Sequence, residues 1–239
     1  AHHLPLFLDA CRILENSYLV QQREAGYQER TILEIVRETC DLADGATLSA
    51  LKDFLVSSGG LILSRSKESY QKASMQAFLD GAQLPGLAMM QLAISLREIF
   101  AADNYVKSRV EQVRYLWQRL KDRIPVVSPP SGHAVFLDVK AFLPDLNSAE
   151  FRSEALGAFL YRYAGIRVTK GPPPAPTQAA RGMELLRLAI PARKYLNAHL
   201  DDVAEALCYA YSRRNEITGL RRSEDPARSK YEPGYFQPL

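Results

Sequence analysis

Apolar positions along this chain switch between short continuous runs and helical spacing. "LPLFLDA" (4–10) is an apolar run closed by an acid, the pattern of a strand buried in a parallel sheet. "QERTILEIVRETCDLA" (28–43) places Ile32, Leu33, Ile35, Val36 and Cys40 at helical spacing, with Thr31 positioned as the cap. "GATLSALKDFLVSSGGLILS" (45–64) reads as strand, turn, strand, and "SKESYQKASMQAFL" (66–79) as a helix. A break at 81–86 contains Pro85. A long helical stretch then runs from Leu87 to Arg123, interrupted at "AADN" (101–104). After "PVVSPPSG" (125–132) the pattern predicts a strand at 133–139 and a helix at 148–165. Short strands follow in "IRVT" and "LLRLAIP", then a helix at 197–217. The Pro-rich "GPPPAP" (171–176) reads as a loop, and the tail "EDPARSKYEPGYFQPL" has no clear period.

Strands and helices that alternate in this way predict an α/β class, with a more compact α+β unit in the second half. The 239 residues, 47% hydrophobic and 24% charged, suffice for one large domain or two small ones. A net charge of +3 is mild. The basic clusters "SRRN" (212–215) and "LRRSED" (220–225) lack interleaved aromatics and have acids beside them. They read as solvated helix faces, so no nucleic-acid partner is expected. No apolar run reaches membrane-spanning length, and no signal peptide is apparent at the start. Cys11, Cys40 and Cys208 have no metal-ligand spacing, so reduced thiols, a cytoplasmic location and no metal site are expected. His2 and His3 receive no role.

Asp9 raises the chemical question. A carboxylate at the end of a buried strand needs a cation. Arg12 or the start of the following helix would supply one locally. The other answer is the protonated ring nitrogen of pyridoxal phosphate, a cofactor that also requires a lysine. Lys52 lies one crossover helix further along, after a strand and after Ser49, whose hydroxyl can donate to a phosphate.

"DACRILENSYLVQQREAGYQERTILEIVRETCDLADGATLSALKDFLVSSGG" closely resembles the tryptophanase and tyrosine phenol-lyase family of β-eliminating lyases. The resemblance continues through "EQVRYLWQRLK", "GHAVFLDVKAFLP", "YAGIRV" and "LLRLAIPARKY". It weakens at 80–90, at 170–183 and after 222. It implies a pyridoxal-phosphate enzyme of the aspartate-aminotransferase fold type I. Residues 1–104 would be the C-terminal part of the cofactor-binding large domain and 105–239 the small α+β domain. It implies Lys52 as the Schiff-base lysine and proton-moving base, and Asp9 as the partner of the ring nitrogen. Arg12 would lie beside the ring's phenolic oxygen, Ser49 at the phosphate, and Arg187 on the substrate α-carboxylate. A guanidinium fork suits that last task because two contacts fix orientation as well as charge. His133 reads as a structural histidine.

Three features depart from the family pattern. Leu51 stands where the family has a second lysine. The segment after "GIRV" is replaced by "TKGPPPAP", leaving Lys170 where the phenol-lyases carry a ring-reading arginine. The chain also lacks a counterpart of the family's first half, expected to be a separate polypeptide or removed. The family further includes lyase domains that introduce sulfur within modular polyketide synthases, and a segment of such a protein would have no natural start of its own.

The reaction implied is α,β-elimination on an L-amino acid, giving pyruvate and ammonia. Without the phenol-reading arginine, a sulfur leaving group from a cysteine-type substrate is favoured, because a thiolate departs without ring tautomerisation. The alternatives are an aromatic carbon–carbon lyase, a non-catalytic homologue and an aminotransferase. A homodimer or tetramer, joined by the missing half, is the expected assembly.

Overall fold

The computed structural model describes residues 4–102, 104–171, 182–222 and 236–239. The chain divides into two compact units, Ala1–Val110 and Glu111–Leu239, each with its own core. The division falls inside the helix Asn104–Leu120.

The first unit begins with strand β1 (Phe7–Asp9), helices α1 (Ile13–Arg23) and α2 (Ile32–Asp41), and strand β2 (Gly45–Ser49). A single-turn helix α3 (Ala50–Asp53), strand β3 (Gly60–Ser64) and helices α4 (Lys67–Leu79) and α5 (Gly86–Ala101) follow. Helix α6 (Asn104–Leu120) contributes its residues up to Val110. The sheet order is β1-β2-β3. β1 runs parallel to β2, with Asp9 opposite Thr47, so α1 and α2 form the crossover that a parallel pair requires. β3 returns antiparallel, with Ser49 opposite Gly60. The return depends on Gly60, where a Cβ would lie 2.5 Å from the Leu48 carbonyl oxygen.

α2 forms where its spacing predicts. Thr31 accepts from the Glu34 N–H, and Glu34 accepts from the Thr31 N–H, closing a capping box. Its buried residues Ile32 and Val36 pack with Leu14 and Tyr18 of α1, Ala46 of β2 and Leu92 of α5. The expectation for "LPLFLDA" needs correction. The strand is parallel, but it has a neighbour on one side only, and Leu6 and Phe7 are 51% and 47% exposed. A continuous apolar run is the mark of a strand covered on both faces. Among the described residues that cover is absent. α4 likewise buries none of its residues and exposes Tyr70, Met75, Phe78 and Leu79.

The second unit contains the rest of α6, strand β4 (Ala134–Asp138) and the one-turn helix α7 (Val139–Phe142). Helix α8 (Arg152–Ala164), strands β5 (Thr169–Lys170) and β6 (Leu185–Ala189), and helix α9 (Asn197–Ser212) complete its core. The antiparallel sheet has the order β4-β6-β5, placing Arg187 opposite both Phe136 and Thr169. Strand β7 (Leu220–Arg222) pairs antiparallel with β8 (Phe236–Pro238), which lies in the tail where the sequence showed no period. The cluster at 220–225, read as a solvated helix face, therefore opens as a strand, because its backbone pairs with that tail segment. The Pro-rich loop predicted at 171–176 lies outside the described residues from 172 onward. α8 starts later than predicted because Phe151 takes a left-handed conformation (φ 53°), separating the helix from a capped 3₁₀ turn at Ser148–Glu150.

The core of this unit contains Leu116, Leu120, Leu137, Phe142, Leu156, Leu160, Leu186 and Leu207, all nearly inaccessible. Truncation of Leu156 to Ala is expected to cost about 2–5 kcal/mol through lost transfer energy and a residual cavity. Urea unfolding followed by Trp117, the chain's one tryptophan and part of the same unit, would read this as a lowered midpoint at unchanged slope.

Candidate active site

The parallel pairing of β1 and β2 brings their C-terminal ends side by side, where ligands of open α/β sheets bind. Asp9 closes β1 and Ser49 closes β2. Cys11 links them. Its backbone N–H donates to Asp9 Oδ1 at 3.1 Å, while its sulfur accepts from the Ser49 N–H at 3.2 Å. The Cys11 thiol, then its N–H, and more weakly the charge of Lys52 hold Asp9 below the usual carboxylate range. Asp9 is therefore anionic at neutral pH. It makes no ion pair with Arg12, the local partner considered from sequence, and Oδ1 is the oxygen that the Cys11 N–H reaches. Cys11, which sequence spacing marked only as a scattered thiol, is the residue that orients this carboxylate.

Lys52 is exposed on α3, three residues after Ser49. Its ammonium has no ion pair among the described residues. The side chain is thus uncommitted, close enough to Asp9 to influence its charge, and mounted on a turn only four residues long.

That turn rests on a buried ionic cluster. Glu15, Asp53 and Arg109 are 1%, 3% and 4% exposed. Asp53 Oδ2 accepts from the Leu14 N–H at 3.0 Å, capping α1 from across the fold, because the helix's own first residues supply no side-chain cap. Asp53 Oδ1 accepts from Arg109 Nη2 at 2.9 Å. The same Nη2 makes a close ion pair with Glu15 Oε1. Arg109 Nη1 donates to the Lys52 carbonyl oxygen at 3.3 Å. Arg12 joins from the rim, with Nη1 3.3 Å from Glu15 Oε1 and 4.0 Å from Asp53 Oδ1. Sequence reading missed Glu15, Asp53 and Arg109. The available signal was Arg109 itself, which falls on the apolar stripe of α6 between Val106, Val110 and Val113.

Arg187 lies in the second unit, half-buried on β6. Its Nε donates to Thr169 Oγ1 at 3.0 Å, and its guanidinium makes no ion pair among the described residues, leaving the terminal nitrogens available to an anion. Lys170 pairs with Glu154 at 3.6 Å. Leu51 is 52% exposed beside Lys52. His133 packs edge-on against Phe136, with ring centres 6.3 Å apart. No cluster of three or more His, Cys, Asp or Glu residues suited to a metal exists among the described residues.

The family model for beta-eliminating lyases matches residues 1–206. The chain belongs to the β-eliminating lyase family. The chain is 37% identical to the tyrosine phenol-lyase of Lacrimispora saccharolytica, over 99% of its own length and 53% of the relative's. It is 36% identical to the tryptophanase of Salinibacter ruber, over 99% and 53%. The β-eliminating lyase chain therefore spans about half the length of these relatives. Among solved structures it resembles the serine palmitoyltransferase of Sphingomonas wittichii, with a TM-score of 0.53 and 19% identity over 86% of this chain and 52% of the other. A serine palmitoyltransferase from S. paucimobilis gives 0.56 and 16% over 79% and 44%. These likenesses establish the α/β fold type I, and family and fold together imply pyridoxal phosphate as the cofactor. The donor set fits: an anionic carboxylate and a hydroxyl close adjoining strands, and a lysine with no ion pair among the described residues follows on the next turn.

Burial, followed by the charge of Glu15, pushes the Asp53 carboxyl up to about 6 against the opposing pull of Arg109. The folded state then holds the Asp53 proton more tightly than the unfolded chain, where the value is 3.8. The resulting stability is present in full below the lower value and is lost as pH rises through the upper one. Relative to Asp53→Asn, the wild-type chain is expected to lose roughly 2–3 kcal/mol between about pH 4 and about pH 6.5. Paired denaturation curves across that range test this, and a pH-independent difference would refute it.

Proposed function

We propose that this chain is the lysine-bearing half of a pyridoxal-phosphate-dependent β-eliminating lyase acting on an L-amino acid. The observation that carries the reading is the uncommitted ammonium of Lys52 beside the anionic Asp9 at adjoining strand ends. When bound, the cofactor acts as an electron sink for the carbanion left when the α-proton departs. Lys52 would hold the cofactor, and its Nζ, freed when the substrate amine displaces it, would take the α-proton. Asp9 would accept from the ring nitrogen and keep it protonated, with the thiol and N–H of Cys11 holding that carboxylate anionic. Ser49 would donate to the phosphate. Arg12 would supply positive charge near the phenolic oxygen, and Arg187 would grip the substrate α-carboxylate. The first half of the enzyme and a second subunit complete the site.

For the leaving group we favour sulfur. Lys170, which stands where the phenol-lyases carry a ring-reading arginine, is occupied by Glu154 and offers no free cation to an aromatic hydroxyl. The second reading is carbon–carbon cleavage of an aromatic amino acid, favoured by the names of the relatives.

Full-length protein supplied with pyridoxal phosphate should show a lysine-linked absorption band that Lys52→Ala removes, and should form pyruvate and sulfide from L-cysteine. Phenol or indole release in place of sulfide would establish the second reading, and absence of the band would refute both. Arg187→Met is expected to raise KM by roughly 10–100-fold with a smaller change in kcat, as for loss of a charged hydrogen bond made before and during reaction. An unchanged KM would remove Arg187 from the substrate site.

A further inference from the structure

The ionic cluster under α3 contains a charge imbalance that the proposed roles do not use. Two carboxylates, Glu15 and Asp53, are almost fully buried, whereas only one guanidinium, Arg109, is buried with them. The second guanidinium, Arg12, is at the rim with its side chain 27% exposed, and one of its nitrogens lies within 4.0 Å of both carboxylates. Arg12 therefore faces a competition. Buried carboxylates without a counter-ion would draw it inward, because unpaired charge in a low-dielectric interior is costly. Arg12 already donates to Glu15 through Nη1, and Arg109 limits the draw by pairing with both carboxylates through one nitrogen, Nη2. Its other terminal nitrogen bonds the carbonyl of Lys52.

We propose that Arg109 is a positioning residue: by neutralising Glu15 and Asp53 it leaves Arg12 available to the cofactor, and through the Lys52 carbonyl it fixes the turn that presents the lysine. This rests on the reading of Lys52 and Arg12 as cofactor-binding residues. The charged groups facing the site are Asp9 from β1, Arg12 and Glu15 from α1, Lys52 and Asp53 from α3, and Arg109 from α6. A cation near the nitrogen that Lys52 contributes lowers that nitrogen's affinity for a proton. Retraction of Arg12 raises the affinity, and release of Arg12 from Glu15 lowers it.

The test is a pH titration of the bound cofactor's absorption in the full-length enzyme. Arg109→Met is expected to raise the midpoint by about one pH unit, Glu15→Gln to lower it, and Arg109→Lys, which keeps the charge, to restore most of the wild-type value. Opposite signs from two substitutions in one cluster are not produced by general loosening of the fold. If the wild-type enzyme titrates normally and both variants leave the midpoint in place, or move it the same way, the proposal is overturned while the function stands. If wild-type protein shows no lysine-linked band, the proposed function fails, and this inference with it. If Arg109→Met does not accumulate as folded protein, Glu15→Gln decides alone, since Asp53 and Arg109 remain paired: a lowered midpoint supports the proposal, and an unchanged or raised one overturns it.

Discussion

The first unit depends on one arginine. Arg109 is enclosed with two carboxylates, and each ion has given up hydration worth several kcal/mol. Pairing recovers only part of that cost, as the raised Asp53 carboxyl shows, and removing one partner from a buried set strands the others. The cluster also has mechanical work. Asp53 caps α1, Arg109 ties down the carbonyl of Lys52, and Glu15 reaches Arg12. Three elements distant in sequence, α1, α3 and α6, are joined there by ion pairs and hydrogen bonds. Apolar packing could hold the same helices, but it would not fix backbone groups at single atoms.

Above this cluster the chemistry is arranged by adjacency. Two parallel strands end side by side, one in a carboxylate and the other in a hydroxyl followed by the lysine turn. Cys11 stitches the two ends together, taking a hydrogen bond from one strand end and orienting the acid of the other. The acid is kept anionic chiefly by local donors and not by a salt bridge. Lys52 and Arg187 share the property of lacking ion pairs among the described residues, although the chain holds 30 Lys and Arg. Most surface cations are free for lack of consequence. These two are free on short, backbone-anchored elements, where a fixed charge can serve a ligand.

Much of the architecture was legible in the sequence. The face of α2, its Thr31 cap, the two strands flanking Lys52 and the break between α5 and α6 follow from periodicity and capping chemistry, which are local. The five candidate site residues were named through motif resemblance, and the family membership agrees with that resemblance. Burial of β1 was misread, because a run of apolar residues records what a strand is built to meet, not what this chain provides. The start of α8 was misread because the left-handed turn at Phe151 has no composition signal. Asp53 was passed over since an acid next to a lysine on a polar turn looks solvated.

The sequence by itself determined the fold class and the order of the elements, since these depend on spacing between near neighbours, and its motifs named the candidates for pyridoxal chemistry. Only the tertiary structure decided which charges were buried together, which cation remained uncommitted and which thiol oriented the acid. Those outcomes depend on desolvation and on distances of a few ångströms between residues far apart in the chain. No pattern along the chain records that Glu15, Asp53 and Arg109 share one enclosed site.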